Sequence, residues 1–425
     1  MHIFFSGIGG SGISSLALIA QDSGFEVSGS DQTESPASLY LEKRDIDVVY
    51  QQTAQSIAAE HLTRPIDWLV YSAAVPNDAP ELKFARAHKI RLSKRDEFLT
   101  KFIKEKNLRL IAVAGTHGKT TTTSAIVWLL QNLNRPVSYA VGATLPFAPS
   151  GAFNPESKIF VLECDEYDRN FLKFNPDIAV LPAVDFDHSD IYPTREDYRA
   201  AFRRFISQSQ NALLYQKTFD YLQPLPEENL TVFEHRSDFD EIAQAGQATR
   251  DDLWLAAQAV RQLGDYDEDE LFQILAKFPG ADRRFEKLSK NIYLDYAHTP
   301  AEIAATIEKA REINPQVAAV YQPHQNARQR EIQAAGGYQD AFDGAAEVFI
   351  VPTFLTRQDL KKDAPPVLTP DDLIAGLTDP EIAEAADLDD NLLTKIRDFQ
   401  KDGALVLLMG AGTIDGWARE NLAQN

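Results

Sequence analysis

The fold of this chain is decided by the stretch LIAVAGTHGKT at residues 110–120. An apolar strand ends at Ala114, a turn with two glycines follows, and a helix is predicted over residues 120–132. This order places backbone N–H groups and a helix N-terminus around one point, which suits a phosphate. The stretch therefore predicts a phosphate-binding loop inside a parallel α/β unit.

The loop also carries the side chains that a nucleoside triphosphate needs. Lys119 brings a positive charge for the β- and γ-phosphates, and the hydroxyl of Thr120 can bind Mg²⁺. The usual form of this loop has glycine where the chain has Val113, so the loop is a variant. Its flanking strand and helix favour a phosphate site over an ordinary turn. We predict an ATP site formed by Gly115, Thr116, His117, Gly118, Lys119, Thr120 and Thr121.

Strand and helix signals alternate along the whole chain, which is typical of parallel sheets covered by helices. The predicted fold class is α/β with three domains. These are an N-terminal Rossmann-like domain at residues 1–105, a central P-loop ATPase domain with a parallel sheet at 106–280, and a C-terminal Rossmann-like domain at 281–425. The charged residues 101–109 are interpreted as a linker, and the acidic residues 361–390 as a surface loop with helices, one of which starts at Thr369.

Composition excludes several classes of protein. A formal net charge of −21 argues against binding to nucleic acid or to an anionic membrane surface, since both need a basic face. Cys164 is the single cysteine, so an intramolecular disulfide and a cysteine-based zinc site are excluded. The strand-like start leaves no room for a signal peptide, and no apolar run reaches the roughly 20 residues that span a bilayer. We expect a cytoplasmic protein without membrane insertion.

A second glycine motif, GIGGSG, occupies residues 7–12 between a predicted strand and a predicted helix. It fits the G-x-G-x-x-G fingerprint, and Asp31 closes the next strand where a ribose hydroxyl would bind. The fingerprint is typical of NAD-dependent dehydrogenases, but a UDP-sugar offers the same diphosphate and ribose. The phosphate loop downstream favours ATP together with a nucleotide-linked substrate.

Acidic residues follow two strands of the central domain. Glu163 opens the group ECDEYD, and His188 lies in the group DFDHSD after the next strand. Both groups come after the carboxyl end of a strand, where an open α/β sheet binds its ligands. Oxygen ligands beside a phosphate loop suit Mg²⁺, and a histidine can complete a second metal position. We predict a metal site from Thr120, Glu163 and His188. Solvated loop tips are an equal alternative for Asp165, Asp168 and Asp190.

The C-terminal third carries further candidates at strand ends. Arg284 lies at the predicted domain junction, and its planar guanidinium suits a γ-phosphate. Asp295 is placed to hold a ribose, and His324 with Arg328 to bind a substrate carboxylate. Taken singly, each fits a surface loop better than a site. A shared cleft is supported by the four histidines of such loops, His117, His188, His298 and His324.

The ordered set of motifs resembles the Mur ligases of peptidoglycan synthesis over essentially the whole chain. The set consists of GIGGSG, GTHGKTTT, ECDE, DHSD, GADRRF, DYAHTP and QPH. The resemblance implies an ADP-forming ligase that makes an amide bond through an acyl phosphate, with ATP and Mg²⁺ as cofactors. It also implies a UDP-sugar domain, a central ATPase and a C-terminal amino-acid domain.

The resemblance implies a role for individual residues as well. The implied catalytic residues are Lys119, His188, Arg284 and His324. The ATP ribose would lie near Asp295. The UDP-sugar would contact Gly9, Gly10, Asp31 and Ser72. The amino acid would bind at His324 and Arg328.

Within the family, the chain is most similar to the branch that joins L-alanine to UDP-N-acetylmuramate, and we expect a monomer or a homodimer. The sequence DEYDRNF at residues 165–171 is instead similar to the branch that recycles the murein tripeptide. Two other classes stay open. One is the NAD-dependent dehydrogenase, and the other is a non-catalytic ATP-binding protein, because the family's adenine-binding His-Asn pair has no counterpart at residues 248–254.

Overall fold

The computed structural model describes residues 1–72, 75–188, 191–225, 228–234, 246–355, 359 and 364–423. Within these residues the strands form three sheets, each mostly parallel, which confirms the predicted α/β class. The chain divides into two compact units. One comprises Met1–Arg236 and Asp251–Pro279, and the other Ser237–Arg250 and Gly280–Asn425. The first unit holds the first two sheets, and the three domain boundaries given by the sequence stay a prediction.

The first sheet is parallel throughout, with the strand order β3-β2-β1-β4-β5. Its strands are β1 His2–Ser6, β2 Glu26–Ser30, β3 Asp47–Val49, β4 Trp68–Tyr71 and β5 Arg91–Lys94. Its helices are α1 Ser11–Asp22, α2 Pro36–Glu42, α3 Ala54–Thr63, α4 Pro80–Ala87 and α5 Arg95–Glu105. Strand order reverses at β1, so a crevice opens above the carboxyl end of this strand. The arrangement confirms the N-terminal Rossmann-like prediction.

The second sheet has the order β12-β11-β10-β6-β9-β7-β8 and is parallel among its described strands apart from the edge pair β7–β8. Its strands are β6 Arg109–Val113, β7 Ser138–Ala140, β8 Gly151–Ala152, β9 Ile159–Glu163, β10 Ile178–Leu181, β11 Asn211–Tyr215 and β12 Leu230–Phe233. Its helices are α6 Lys119–Asn132, α7 Arg195–Ser207, α8 Gln216–Leu222, α9 Gln247–Arg261 and α10 Glu268–Leu275, with a 3₁₀ segment at Tyr167–Lys173. Because β10, β6 and β9 are neighbours, the loops that follow them meet at one edge.

One apolar core runs through both sheets of the first unit. Helix α5 connects them, since Phe98 packs edge-to-face on Phe5 and Phe102 packs edge-to-face on Phe153. The linker interpretation of residues 101–109 is wrong, because this segment is the last turn of α5, a short connection and the start of β6. Phe102 and Ile103 are buried there, and the charged residues that suggest a linker lie on the outer face of the helix.

The third sheet belongs to the second unit and has the order β13-β14-β18-β15-β16-β17, with β13 antiparallel to β14 and the other pairs parallel. Its strands are β13 Glu286–Ser289, β14 Ile292–Asp295, β15 Val317–Gln322, β16 Glu347–Ile350, β17 Ala383–Ala385 and β18 Leu405–Gly410. Its helices are α11 Pro300–Ile313, α12 Asn326–Ala334, α13 Pro370–Ile374, α14 Asp390–Lys401 and α15 Ile414–Leu422. Apolar clusters cover both faces, as a parallel sheet requires. Thr369 caps α13 as predicted, and residues 361–363 lie outside the described part.

Candidate active site

The phosphate loop forms the predicted strand–turn–helix between β6 and α6. Two of its glycines are required by the geometry. Gly118 directly precedes α6 with a φ of 80°, in the left-handed region that favours glycine. A side-chain carbon on Gly115 would lie 2.6 Å from the carbonyl oxygen of Ala183, just beyond β10. These glycines allow the N-terminus of α6 to lie against the carboxyl end of β10.

Thr116 and His117 fasten the loop to the same neighbouring segment. The backbone N–H of Thr116 donates to the carbonyl of Ala183 at 2.8 Å, and its hydroxyl donates to the carbonyl of Asp185 at 2.6 Å. That hydroxyl also lies 2.8 Å from the hydroxyl of Tyr198. His117 and Ala183 form an antiparallel bridge. Both residues therefore have a structural task, and their ATP contacts stay a prediction.

The side chain of Lys119 is held beside an acidic residue from the loop after β9. Its Nζ lies 3.1 Å from the carboxylate of Glu166, and it donates to the carbonyls of Thr116 and Gly115. Nε2 of His188 lies 3.4 Å from the same carboxylate. The side chain of Glu166 is only 1% exposed. This carboxylate thus joins two of the predicted catalytic residues at a point shielded from water.

The charges in this group support one another. Burial alone would raise the pKa of Glu166, but the Lys119 ammonium and His188 lower it below its ordinary value. Burial opposes the charged form of His188, yet its hydrogen bond to Glu166 and the charge of Asp187 raise its pKa. Burial also opposes the charge of Lys119, and the neighbouring carboxylates, Glu166 first, outweigh it and raise the pKa. Glu166 therefore keeps Lys119 cationic in the interior.

Thr120 and Glu163, two of the three predicted metal ligands, are in contact. The hydroxyl of Thr120 donates to Oε1 of Glu163 at 2.9 Å, and the N–H of Gly142 donates to Oε2 at 2.7 Å. A hydroxyl and a carboxylate beside a phosphate loop fit Mg²⁺, which completes its shell with phosphate oxygens and water. The His188 ring pairs with Glu166 instead. In the described part of the chain, no group of three or more His, Cys, Asp or Glu side chains has metal-site geometry.

The predicted UDP-sugar residues meet at the carboxyl ends of β1, β2 and β4. The N–H of Gly9 donates to Oδ2 of Asp31 at 2.7 Å. A side-chain carbon on Gly9 would lie 2.8 Å from the hydroxyl oxygen of Ser35, so a larger residue would push that side chain out of place. Gly10 directly precedes α1, and Ser72 directly follows β4. Asp31 thus shapes the glycine-rich loop, a task that the sequence pattern does not reveal.

In the second unit, Asp295 ends β14 and anchors two loops. Its Oδ2 accepts the N–H of Phe285 and its Oδ1 accepts the N–H of Ala297, each at 2.7 Å. Burial raises the pKa of Asp295, and the charge of Arg284 opposes that rise. The guanidinium carbon of Arg284 lies 4.9 Å from the centre of the Tyr296 ring. The structure places the two predicted residues in one neighbourhood and gives Asp295 an anchoring role.

His324 follows β15 in an aromatic environment. Its ring stacks on Phe354 with a centroid distance of 5.6 Å, and His298 lies 6.4 Å away. Burial first, and then the charge of His298, lowers the pKa of His324 to about 4, so the ring is neutral near pH 7. Arg328, predicted to bind a substrate carboxylate, donates to Glu331 at 3.0 Å.

Two residues beside the phosphate loop carry no role in the sequence prediction. Glu166 stands inside the ECDE motif, and its pairing with Lys119 requires the fold. Asp252 lies on α9, and a side-chain carbon on Gly118 would be 2.9 Å from its Oδ2. No spacing in the sequence links Asp252 to the loop, because the contact depends on how α9 packs. Asp190, weighed with the acidic loops, lies outside the described residues.

Three family models match the chain in the order of its sheets. They are the Mur ligase family catalytic domain at residues 2–107, the Mur ligase middle domain at 113–221 and the Mur ligase glutamate ligase domain at 283–412. A UDP-N-acetylmuramate–L-alanine ligase of Nocardioides sp. is 32% identical over 433 residues, which are 97% of this chain and 94% of the relative. The chain belongs to the Mur ligase family.

Other relatives agree with this assignment. The UDP-N-acetylmuramate–L-alanine ligase of Porphyromonas gingivalis is 32% identical over 80% of this chain and 81% of its own length. In fold, the chain is similar to the UDP-N-acetylmuramate–alanine ligase of Thermotoga maritima, with a TM-score of 0.76, 23% identity and coverage of 99% and 98%. The murein peptide ligase of Psychrobacter arcticus has a TM-score of 0.69, 21% identity and coverage of 99% and 98%.

As a Mur ligase, the chain is an ATP-dependent, ADP-forming enzyme that makes amide bonds, which confirms the predicted enzyme class. The dehydrogenase alternative rests on the glycine-rich loop alone and is not favoured. Among the helices of the described residues, none has the length and apolar character to cross a bilayer.

Proposed function

We propose that this Mur ligase joins L-alanine to the lactyl carboxylate of UDP-N-acetylmuramate, a step that makes a peptidoglycan precursor. Relatives named for this activity are 32% identical to the chain over most of both lengths. The structural observation that carries the proposal is the pairing of Lys119 with Glu166 and of Thr120 with Glu163. These pairs lie in the same compact unit as the glycine-rich loop, so one unit holds the groups for ATP and for a nucleotide-sugar.

The residues of the site fit an acyl-phosphate mechanism. When bound, ATP supplies the phosphoryl group and Mg²⁺ offsets its charge. The sugar carboxylate attacks the γ-phosphorus and expels ADP, which gives an acyl phosphate. The amine of L-alanine then attacks the carbonyl carbon, loses a proton and expels phosphate, which gives the amide. Lys119, held cationic by Glu166, binds the phosphates, while Thr120 and Glu163 hold Mg²⁺. The Glu166 carboxylate that orients Lys119 is itself buried, with 1% of its side chain exposed.

The remaining assignments follow the family pattern and are part of the proposal. The UDP moiety is bound by Gly9, Gly10, Asp31 and Ser72. Arg284 acts at the γ-phosphate and Asp295 at the ribose, while His324 and Arg328 bind the amino acid. The protein works in the cytoplasm, as a monomer or a homodimer, and its domains are residues 1–105, 106–280 and 281–425.

Phosphate release by the purified protein tests this proposal. With UDP-N-acetylmuramate, ATP and Mg²⁺ present, we expect release that depends on L-alanine and is weaker with glycine or L-serine. No release with any amino acid or peptide would contradict the proposal. Release that requires the tripeptide L-alanyl-γ-D-glutamyl-meso-diaminopimelate would instead identify the recycling branch, to which residues 165–171 are similar.

A variant connects the activity to the phosphate loop. Lys119→Ala removes the cation at the phosphates, so turnover should be abolished. Binding of UDP-N-acetylmuramate should stay within about twofold of the wild type, because its residues lie on the other sheet of the unit. Retained ligase activity in this variant would exclude the site described above.

A further inference from the structure

Arg95 is the first residue of α5, and only one nitrogen of its guanidinium donates a hydrogen bond to a described residue. Its Nε donates to Oδ1 of Asp96 at 3.1 Å. Among the residues that the structure describes, its two terminal nitrogens form no hydrogen bond. The side chain is 29% exposed, so most of it lies inside the unit. A guanidinium with both terminal nitrogens open offers the paired donors that a phosphate or a carboxylate binds.

Arg95 lines a cavity whose other lining residues come from both nucleotide regions of the first unit. On one side the cavity is lined by Gly12 and Ser15 of α1, and on the other by Gly142 and Glu163. The cavity therefore runs from the helix after the glycine-rich loop to the proposed Mg²⁺ ligand Glu163.

The contact with Gly12 places the positive charge at the start of α1. A side-chain carbon on Gly12 would lie 3.3 Å from both Cδ and Cζ of Arg95 and would overlap a terminal nitrogen. Helix α1 has no acidic residue in its first turn and no side-chain cap. The partial positive charge of its N-terminus and the guanidinium therefore lie side by side, an arrangement that attracts an anion to this point.

Two nearby carboxylates, Asp96 first and then Asp165, stabilise the charge of Arg95. Among the described residues, however, neither accepts a hydrogen bond from its terminal nitrogens. Asp96 is buried, accepts the Nε of Arg95 and also lies 3.6 Å from Nζ of Lys173, so one carboxylate faces two cations. Asp165, which also lines the cavity, accepts the N–H of Tyr167 at 3.0 Å. The terminal nitrogens of Arg95 are therefore the donors that remain for a ligand at the start of α1.

We propose that Arg95 binds the diphosphate of the UDP-sugar together with the N–H groups at the start of α1. This inference rests on the proposed function, which supplies the nucleotide. The diphosphate fits better than the lactyl carboxylate because Gly12 is the last glycine of the G-x-G-x-x-G motif and lies in the first turn of α1, where diphosphates bind. Arg95 thus adds to the backbone donors of the loop a side-chain cation from α5, outside the motif.

Binding measurements with uridine, UDP and UDP-N-acetylmuramate test the inference, because only the last two carry the diphosphate. In Arg95→Gln, calorimetry should show affinity for UDP and for UDP-N-acetylmuramate lowered about 10- to 100-fold, with uridine binding unchanged. Unchanged UDP affinity would overturn the inference. This includes the case in which only UDP-N-acetylmuramate binding weakens, which would place Arg95 at the carboxylate.

Matched variants separate binding from folding. Arg86→Gln makes the same change at an exposed arginine that donates to the carbonyl of Asn77, and it should bind UDP as the wild type does. Gly12→Ala displaces the guanidinium, so it should weaken UDP binding, and combining it with Arg95→Gln should weaken binding little further. If the losses of UDP affinity in Gly12→Ala and Arg95→Gln add fully in the double variant, the two residues do not act at one diphosphate site.

The remaining outcomes separate a folding defect, a failure of the proposed function and a failure of the role of Arg95. If Arg95→Gln does not fold, Arg95→Lys keeps the charge and removes the fork, and it should still lose UDP affinity while keeping uridine affinity. Equal UDP affinity in that variant overturns the inference. If the wild-type protein binds neither UDP nor UDP-N-acetylmuramate, the proposed function itself fails. If the wild type binds both and Arg95→Gln binds them equally, only the role of Arg95 fails.

Discussion

The ammonium of Lys119 and the carboxylate of Glu166 lie 3.1 Å apart in the interior of the first unit. Lys119 begins α6 after β6, and Glu166 follows the neighbouring strand β9. The same carboxylate lies 3.4 Å from His188, beyond the other neighbour of β6, which is β10. Residues from three adjacent strand ends thus share one buried negative charge. This charge orients the cation that the proposed mechanism requires at the phosphates.

Loss of that negative charge should slow the reaction without weakening sugar binding. Glu166→Gln keeps the size of the side chain but leaves Lys119 and His188 without their carboxylate. We expect kcat to fall about 10- to 100-fold, the usual loss when a partner that orients a site residue is removed. Steady-state phosphate release measures it. Glu156→Gln, at an exposed position, is the control, and an unchanged kcat in Glu166→Gln would contradict the positioning role.

The close approach of the phosphate loop to β10 should make Gly115 irreplaceable. In Gly115→Ala the new carbon would lie 2.6 Å from the carbonyl oxygen of Ala183, so the loop must shift. We expect turnover to fall by about 100-fold, as a displacement of about 1 Å can cause. Gly416→Ala is the control, since the residue is helical and, among the described residues beyond its own helix backbone, no atom lies within 4 Å of the added carbon. Equal activity of Gly115→Ala and the wild type would contradict the prediction, because it would show that the loop can move away from Ala183 without loss of function.

The two backbone bonds to Asp295 predict a loss of stability beyond any effect on ATP. Asp295→Asn replaces one accepting oxygen with an NH₂ group that faces a backbone N–H. We expect the free energy of unfolding to fall by about 1–3 kcal/mol, the cost of an unsatisfied buried group. Urea unfolding measures it, with Asp343→Asn at an exposed site for comparison. A raised KM for ATP with full stability would mean that Asp295 serves the ribose and not the loops.

The environment of His324 predicts a pH-dependent contribution to stability. Burial and the charge of His298 lower its pKa in the folded state from 6.5 to about 4. The unfolded chain therefore binds more protons between these values, so stability falls as the pH drops from 6.5 towards 4. At pH 5.5, His324→Gln should recover on the order of 1 kcal/mol of this loss. Urea unfolding at pH 5.5 and 7.5 checks the difference, with His88→Gln as an exposed control. An identical pH dependence in His324→Gln and the wild type would contradict it.

The sequence predicts the buried strands well, because strands covered on both faces are continuous apolar runs. Strand β6 ends at Val113, one residue before the predicted end at Ala114, and α6 spans Lys119–Asn132 against a predicted 120–132. The three-residue edge strand β17 lies half-exposed in the acidic stretch and gives no such signal. The sequence analysis also misses the end of α5. Charged residues on the outer face of this helix suggest a linker, although Phe102 and Ile103 on its inner face are buried.

The sequence predicts those site contacts that join residues of recognisable motifs at adjacent strand ends. The contact of Thr120 with Glu163 follows from the rule that adjacent strand ends share ligands. The partner of His188 does not follow from that rule, because Glu163 ends β9, Glu166 lies three residues later at the same strand end, and spacing does not distinguish them. The sequence does not predict a role for Asp252 or Arg95 for another reason. Each lies on a helix that packs against a glycine of a distant motif, and no local sequence pattern encodes that packing.

The transfer of a labelled oxygen tests the central claim most directly. UDP-N-acetylmuramate carrying ¹⁸O in its lactyl carboxylate is incubated with the protein, ATP, Mg²⁺ and L-alanine, and the released phosphate is analysed by mass spectrometry. Because one carboxylate oxygen bonds to the γ-phosphorus and leaves with it, each phosphate should carry one ¹⁸O, and the amide product should keep the other. Unlabelled phosphate released together with the amide product would contradict an acyl-phosphate ligase.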